Sequence, residues 1–248
     1  MFVVSLVPLW AGLDADGAPS ASVPPDGRSG AEIIDRYVRA IEAQQPQSVS
    51  MEMDMDAQLP KLKKHGRLHA LRFVTRLGKI FYSSQHFEGD GTIKKEVIAR
   101  YLETETQARN DSTGSLTVTP ENYRFKYKGM TDYAGQPAYL FQVDARKKRV
   151  GLYKGELWID AEAYLPLREW GVLVKSPSVF LKSVYFVRDY TIQDGVSVPR
   201  RLITDINTRV VGKAQFTIWY TNVRFGERNA TTTLTDSLES AGTGGGDD

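Results

Sequence analysis

The chain has 248 residues, 41% of them hydrophobic and 25% charged, which is the balance of a globular protein with a sizeable core. It contains no cysteine, which excludes a disulfide framework, a thiolate metal centre, a cysteine nucleophile and a lipidated cysteine anchor. The net charge of +2 hides an asymmetry: residues 1–27 hold three acids and no base, residues 227–248 hold five acids and one base, and the body between them carries +9. A body that basic favours anionic partners such as lipid headgroups, a membrane surface, acidic polymers or nucleic acid, or else is an ordinary solvated basic surface.

Residues 1–13, MFVVSLVPLWAGL, form an apolar run too short to span a bilayer, and small residues follow near Ala18 to Ser22. An apolar run ahead of a small-residue zone is the pattern of an export signal, so residues 1–29 are expected to be a signal and flexible lead-in. Gly30 to Gln45 carries Ile33, Ile34, Tyr37, Val38 and Ile41 at helical spacing, and Pro46 ends the run. Such a helix, apolar on one stripe, suits a position across a sheet.

Met51 to Asp56 alternates strictly, methionines on one face and acids on the other, as a strand does. The methionines read either as core filling or as a wall that adapts to apolar ligands. A hairpin turn is expected near His65-Gly66, then a strand through Arg76, a strand over 79–87 and a turn at Gly89 to Gly91. Ile93, Val97, Ile98, Tyr101 and Leu102 predict a helix over 92–107, capped at Thr92.

From Tyr123 the pattern is a meander, with strands expected near 123–128, 137–144, 153–160, 164–175, 179–192, 197–210 and 214–225. Asp194-Gly195 between two alternating runs is a strong hairpin signal. Strand 179–190 is apolar on both faces, so the sheet is either covered twice or curls around something. Residues 227–248 lack apolar periodicity and read as a disordered acidic tail.

No catalytic signature is present: G-x-S-x-G, S-x-x-K, H-E-x-x-H and a phosphate-binding loop are all missing. His65 and His69 stand four apart, a metal-pair spacing on a helix, but they fall in turn and strand without a carboxylate to complete a site. The paired acids Asp54/Asp56 and Glu103/Glu105 read as outward and solvated. Tyr123, Phe125 and Tyr127 alternate with Arg124, Lys126 and Lys128. That pattern fits a base-stacking surface, and equally a strand with one buried aromatic face and one wet basic face. An exported protein disfavours the first, and no nucleic-acid partner is expected.

Four stretches carry a resemblance to a known group: Gly155-Glu156-Leu157-Trp158-Ile159-Asp160, then Leu165-Pro166-Leu167-Arg168-Glu169, then Tyr190 through Asp194-Gly195 to Pro199, then Phe216 to Phe225. With the N-terminal helix feeding the first strand, the chain resembles the LolA/LolB-like superfamily of periplasmic lipoprotein carriers. The outer membrane lipoprotein-sorting protein group is the nearer likeness, and the sensor RseB a more distant one. The resemblance spans about residues 30–226 and implies one α+β, mainly β domain: a curved antiparallel half-barrel sheet with helices covering its concave face.

It further implies an exported (periplasmic or secreted), non-enzymatic binding protein without a cofactor or metal, whose partner is a lipid, an acyl chain or a lipoprotein. Ile34, Val38 and Ile41 would form the lid of an apolar cavity, and Leu157, Ile159, Phe216, Ile218 and Tyr220 its wall. Trp158 and Trp170 pack outside in one reading, and basic residues at the rim meet anionic headgroups or a membrane surface. The chain departs from the group in two ways: it lacks a lipobox cysteine, and no arginine aligns with the lid-latching one of the soluble carrier. The alternative is an envelope protein-binding or sensor module, RseB-like, without lipid transfer.

Overall fold

A computed structural model describes residues 27–44, 48–110, 116–179, 181–209 and 212–226. The proposed export signal and the acidic tail fall almost wholly outside these residues.

Ten antiparallel strands form one unclosed, curved sheet. They are β1 (Val49–Leu59), β2 (Lys64–Val74), β3 (Ile80–Gly89), β4 (Tyr123–Tyr133), β5 (Gln136–Ala145), β6 (Tyr153–Asp160), β7 (Pro166–Leu173), β8 (Leu181–Gln193), β9 (Val196–Thr208) and β10 (Lys213–Phe225). Their order is β3-β2-β1-β10-β9-β8-β7-β6-β5-β4. Every neighbour is next in sequence except β1 and β10, whose pairing seals the sheet in its interior. The two edges, β3 and β4, are also consecutive in sequence, so the segment between them must travel from one edge to the other.

That segment supplies a helix. It starts as Gly91–Ile93, widens into a π-helical stretch, Lys94–Ala99, and continues as Arg100–Asn110; together these are α2. Its first turn is capped by Asp90, whose side chain accepts from the Thr92 backbone N–H, and not by Thr92 itself. The other helix, α1 (Gly30–Ala43), opens with a capping box: Ser29 accepts from the Glu32 N–H, and the Glu32 carboxylate accepts from the Ser29 N–H.

Both helices bury their apolar stripes on one face of the sheet. Ile33, Ile34 and Tyr37 of α1 and Ile93, Val97 and Ile98 of α2 join one cluster with Met51, Met53, Met55, Leu157, Phe216 and Ile218. All three methionines of β1 are buried, each contributing about 1.5–3 kcal/mol by removal from water. The acids between them face out and pair with bases of β2: Asp54 with His69 at 2.8 Å, and Asp56 with His65 and Arg67, both at 3.1 Å.

The turn expected at His65-Gly66 lies elsewhere. The chain reverses over Pro60–Leu62, with Lys63 in the left-handed region at φ 52°, and His65 and Gly66 are inside β2. Gly66 is required for packing: a Cβ there would stand 2.9 Å from Ile93 Cγ2 and 3.0 Å from the Phe87 ring.

Candidate functional site

The helices cover the two ends of the concave face and leave a strip between them. At one end, α1 lies over β4–β6; its Gly30 leaves room for the Tyr127 and Phe141 side chains, and Arg36 stacks on Tyr164 beyond β6 at 5.4 Å. At the other end, α2 lies over β1–β3 and β10, with Tyr101 against Phe216 at 4.9 Å. On the strands between, the inner side chains Val184, Arg188 and Tyr190 of β8 and Ile206 of β9 stay half-buried.

One inner row crosses the whole sheet by register: Tyr127, Phe141, Leu157, Glu169, Arg188, Leu202, Ile218, Met55, Leu68, Phe87. Strands β7 and β8 place two charges, side by side, at the centre of this row, between apolar residues of the other eight strands. Arg188 Nη1 donates to Glu169 Oε2 at 3.1 Å, and the Tyr190 hydroxyl donates to Glu169 Oε1 at 3.1 Å. Glu169 keeps 6% of its side-chain surface, whereas Arg188 keeps 41%. Tyr190, opposed by burial and joined by Glu169, drives the Arg188 pKa further up, so the guanidinium stays charged.

Tyrosines surround this pair. Tyr37, Tyr123 and Tyr153 all sense the Glu169 charge. Burial, helped by Glu169, pushes the Tyr123 hydroxyl up to about 12. Tyr153 sits where it does because two glycines oppose each other across β6 and β7. A Cβ on Gly171 would lie 2.5 Å from Tyr153 Cδ2, and one on Gly155 would lie 1.9 Å from the Trp170 carbonyl oxygen. The Tyr153 ring therefore extends over Gly171 and meets Phe186 edge-on at 5.0 Å.

A second inner set holds α2 to the sheet. Arg72 Nη2 donates to Glu105 Oε1 at 2.7 Å, and the Tyr82 hydroxyl bonds the other carboxylate oxygen. Glu105 thus points inward, contrary to the outward reading of Glu103/Glu105. Burial pushes its carboxyl up, but the Arg72 charge and the bonds from Tyr82 and Arg72 outweigh burial and hold it below its ordinary range. The convex face carries the complementary row Arg168, Asp189, Arg201. Asp189 is wholly buried there, accepting from Arg201 at 2.7 and 2.9 Å and from the Tyr133 hydroxyl at 2.6 Å.

The residues expected to line a cavity divide into two groups. Ile34, Val38 and Ile41 are on α1, with Ile34 buried and the other two half-buried; Leu157 and Ile159 are fully buried at the α1 end of the sheet. Phe216, Ile218 and Tyr220 are buried at the α2 end, and all eight join the one core cluster. Trp158 and Trp170 are on the convex side, Trp158 under Arg168 at 5.6 Å and Trp170 donating to Glu156 at 2.8 Å. The sequence reading passed over Arg188 and Glu169, although their parity with Phe186 and with Leu173 marks both as inward.

At the rim by the start of α1 is an open cavity of about 620 Å³, lined by Arg28, Arg36, Tyr139, Glu162 and Tyr164 among others. Arg28 Nη1 donates to Tyr139 at 3.2 Å and also to Tyr164. A smaller hollow of about 370 Å³ on the convex face is lined by His69, His86, Asp54 and Trp219. Among the described residues no group of histidines and acids is placed to hold a metal ion, and no helix is long and apolar enough to cross a membrane.

No protein-family model and no curated protein matches the chain. Solved structures similar to it include a DUF1329 family protein from Desulfovibrio piger, 14% identical, with a TM-score of 0.40 over 83% of this chain and 98% of that one. A domain described as an outer membrane lipoprotein-sorting protein from Vibrio parahaemolyticus is 13% identical, with a TM-score of 0.41 over 85% and 96%. A LolA superfamily protein from Nitrosomonas europaea is 8% identical, with a TM-score of 0.35 over 81% and 94%. The last two bear the names of the group that the sequence motifs resemble.

Proposed function

We propose that the protein is a non-enzymatic, exported binding protein that holds the acyl chain of a lipid or lipoprotein along the strip between its two helices. The observation that carries this reading is the incomplete cover of the concave face. Val184 and Ile206 are apolar, face inward and stay half-buried, while Met51, Met53, Met55, Ala57 and Leu59 of β1 and Ala214, Phe216, Ile218 and Tyr220 of β10 are sealed. An apolar surface left open inside a curved sheet is the usual setting for an apolar ligand. In this reading α1, with Val38 and Ile41 half-buried, is the lid, and the sealed residues Leu157, Ile159, Phe216, Ile218 and Tyr220 support the strip from its two ends. Arg28 and Arg36 at the rim offer positive charge to an anionic headgroup or a membrane surface. The motif resemblance supports outer-membrane lipoprotein sorting as the biological setting.

The test is native mass spectrometry of the protein purified from its host's envelope, with uptake of added phospholipid or lipopeptide by the delipidated form. Co-purifying lipid, lost in Val184→Glu/Ile206→Glu while the far-UV circular dichroism is kept, is the expected result. A protein that takes up no amphiphile at all would sink the reading. It would turn attention to the convex hollow, where Trp219 exposes 44% of its surface beside Asp54 and His69, as the contact face of an envelope protein-binding module.

A further inference from the structure

The strip has an unused set of hydrogen-bond donors at its centre. Arg188 spends only Nη1 on protein acceptors, giving it to Glu169 at 3.1 Å and to the Tyr190 hydroxyl at 3.3 Å. Among the described residues no acceptor meets its Nε or Nη2, and a guanidinium has five N–H groups to place. Its partner in the row, Glu169, is enclosed, so the accessible part of the pair is the donor side.

A second orphan lies next to it. The Tyr153 side chain is 3% exposed, and its hydroxyl has no hydrogen-bond partner among the described residues. Buried hydroxyls are almost always paired, so an unpaired one calls for an absent acceptor or donor. Tyr153 and Arg188 flank the same ring: Tyr153 meets Phe186 edge-on at 5.0 Å, and the Arg188 guanidinium stands over it at 5.4 Å.

The charges decide what these donors can take. Nearest the centre of the strip the ionic side chains are Arg72 with Glu105 and Arg188 with Glu169, two of each sign, already paired; Lys64, at the end of β2 on the same face, is paired with Asp90. A free carboxylate entering the strip would be a fifth, unpaired ion. Bound at the unused Nε and Nη2 of Arg188, it would set two carboxylates against one guanidinium and leave one buried negative charge uncompensated, which is costly. A neutral carbonyl oxygen accepts from N–H and O–H without altering the balance.

We propose that Arg188, with the Tyr153 hydroxyl, is the polar subsite of the strip, and that it takes the neutral carbonyl of an acyl ester or amide in preference to a free fatty acid. This rests on the reading of the strip as an acyl-chain site. The chain lies on the apolar surface of Val184, Phe186 and Ile206, and its linkage to the rest of the ligand stops at Arg188.

The experiment is displacement of an apolar reporter dye, N-phenyl-1-naphthylamine, from the full-length delipidated protein. The competitors are monooleoylglycerol and oleate, below their aggregation concentrations and above the acid's pKa. The ester is expected to displace the dye at least about tenfold more tightly than the acid, about the worth of one retained hydrogen bond. Tyr153→Phe should weaken the ester about tenfold while raising Tm, because the hydroxyl has no protein partner to lose. Arg188→Met/Glu169→Gln keeps the charge balance and should abolish the ester's advantage while the dye still binds. A carbonyl-labelled ester should show a lowered infrared carbonyl frequency in the wild type, relieved in the double variant. Dye uptake with equal or tighter binding of oleate, or with an ester affinity that neither variant changes, overturns the subsite and leaves the acyl-chain reading standing. No uptake of dye, ester or acid overturns both.

Discussion

Arg72→Met tests how α2 is held over the concave face. The guanidinium and the Glu105 carboxylate are 2.7 Å apart, with 6% and 20% of their side-chain surfaces exposed, so solvent screens the pair little. Breaking a buried pair from one side costs about 3–5 kcal/mol, because the remaining charge stays buried. Among the described residues Arg72 Nε has no hydrogen-bond partner, a penalty that methionine removes, so the lower end, about 3 kcal/mol at neutral pH, is expected. For a domain of this size that lowers Tm by about 6–12 °C.

The pH dependence carries the sharper test. In the wild type, Glu105 is held below its ordinary pKa by Arg72 and Tyr82 against the upward pull of burial. Its contribution is therefore present above the unfolded carboxylate pKa, about 4.3, and is lost as pH falls through the depressed folded value. In the variant, burial acts without Arg72, and the carboxyl pKa rises above that of the unfolded chain. The penalty then exists at neutral pH and fades as acid protonates Glu105. Urea unfolding of both proteins between about pH 4 and pH 8 should show a gap that narrows towards acid. A loss under about 1 kcal/mol, or a gap that is flat or widens on acidification, would refute the buried pair.

Asp189→Ala on the convex face should cost about 2–4 kcal/mol in urea unfolding, since Asp189 is wholly buried between Arg168 and Arg201, and it should leave dye binding on the concave side unchanged. Gly155→Ala forces a Cβ to within 1.9 Å of the Trp170 carbonyl oxygen; the strand pair must part, and a loss of about 3 kcal/mol or more is expected, with misfolding the extreme form. Ser29→Ala removes one half of the capping box at the start of α1 and should cost about 0.5–2 kcal/mol, read as a fall in Tm without a change in the sheet's circular dichroism.

The fold was legible because strand alternation survives in single-sequence form. The run 153–160 coincides with β6, and Met51, Met53 and Met55 face the core as their parity requires. Turn chemistry was less reliable where a glycine served packing. Gly66 looked like a reversal but makes room for Ile93 and Phe87, a contact between segments that no local window contains. The cap of α2 was misplaced by two residues for a related reason: Asp90 and Thr92 are both good caps, and only the backbone geometry selects Asp90.

The site was harder to see because its signal is a clash between residue type and face. Glu169 shares its parity with Leu173, and Arg188 with Phe186, so both are inward by alternation, yet inward charge is disfavoured unless a partner is known. The partner depends on the β7–β8 register, which joins residues 19 apart. The same holds for Glu105, whose partners Arg72 and Tyr82 lie on β2 and β3. Periodicity identifies a face, but pairing needs the third dimension.

That leaves the question of why the sheet keeps a charged pair at the middle of an apolar row. For stability alone it is a poor choice, since a well-packed neutral pair of similar volume usually does as well or better. Glu169→Gln/Arg188→Met is therefore expected to unfold in urea within about 1 kcal/mol of the wild type, or above it, while Arg188→Met alone loses about 3 kcal/mol by stranding Glu169. If the double variant fell as far as the single one, the pair would be earning its place as structure, and its open donor side would need no ligand. If it holds its stability but loses its preference for the acyl ester, the pair is retained for binding.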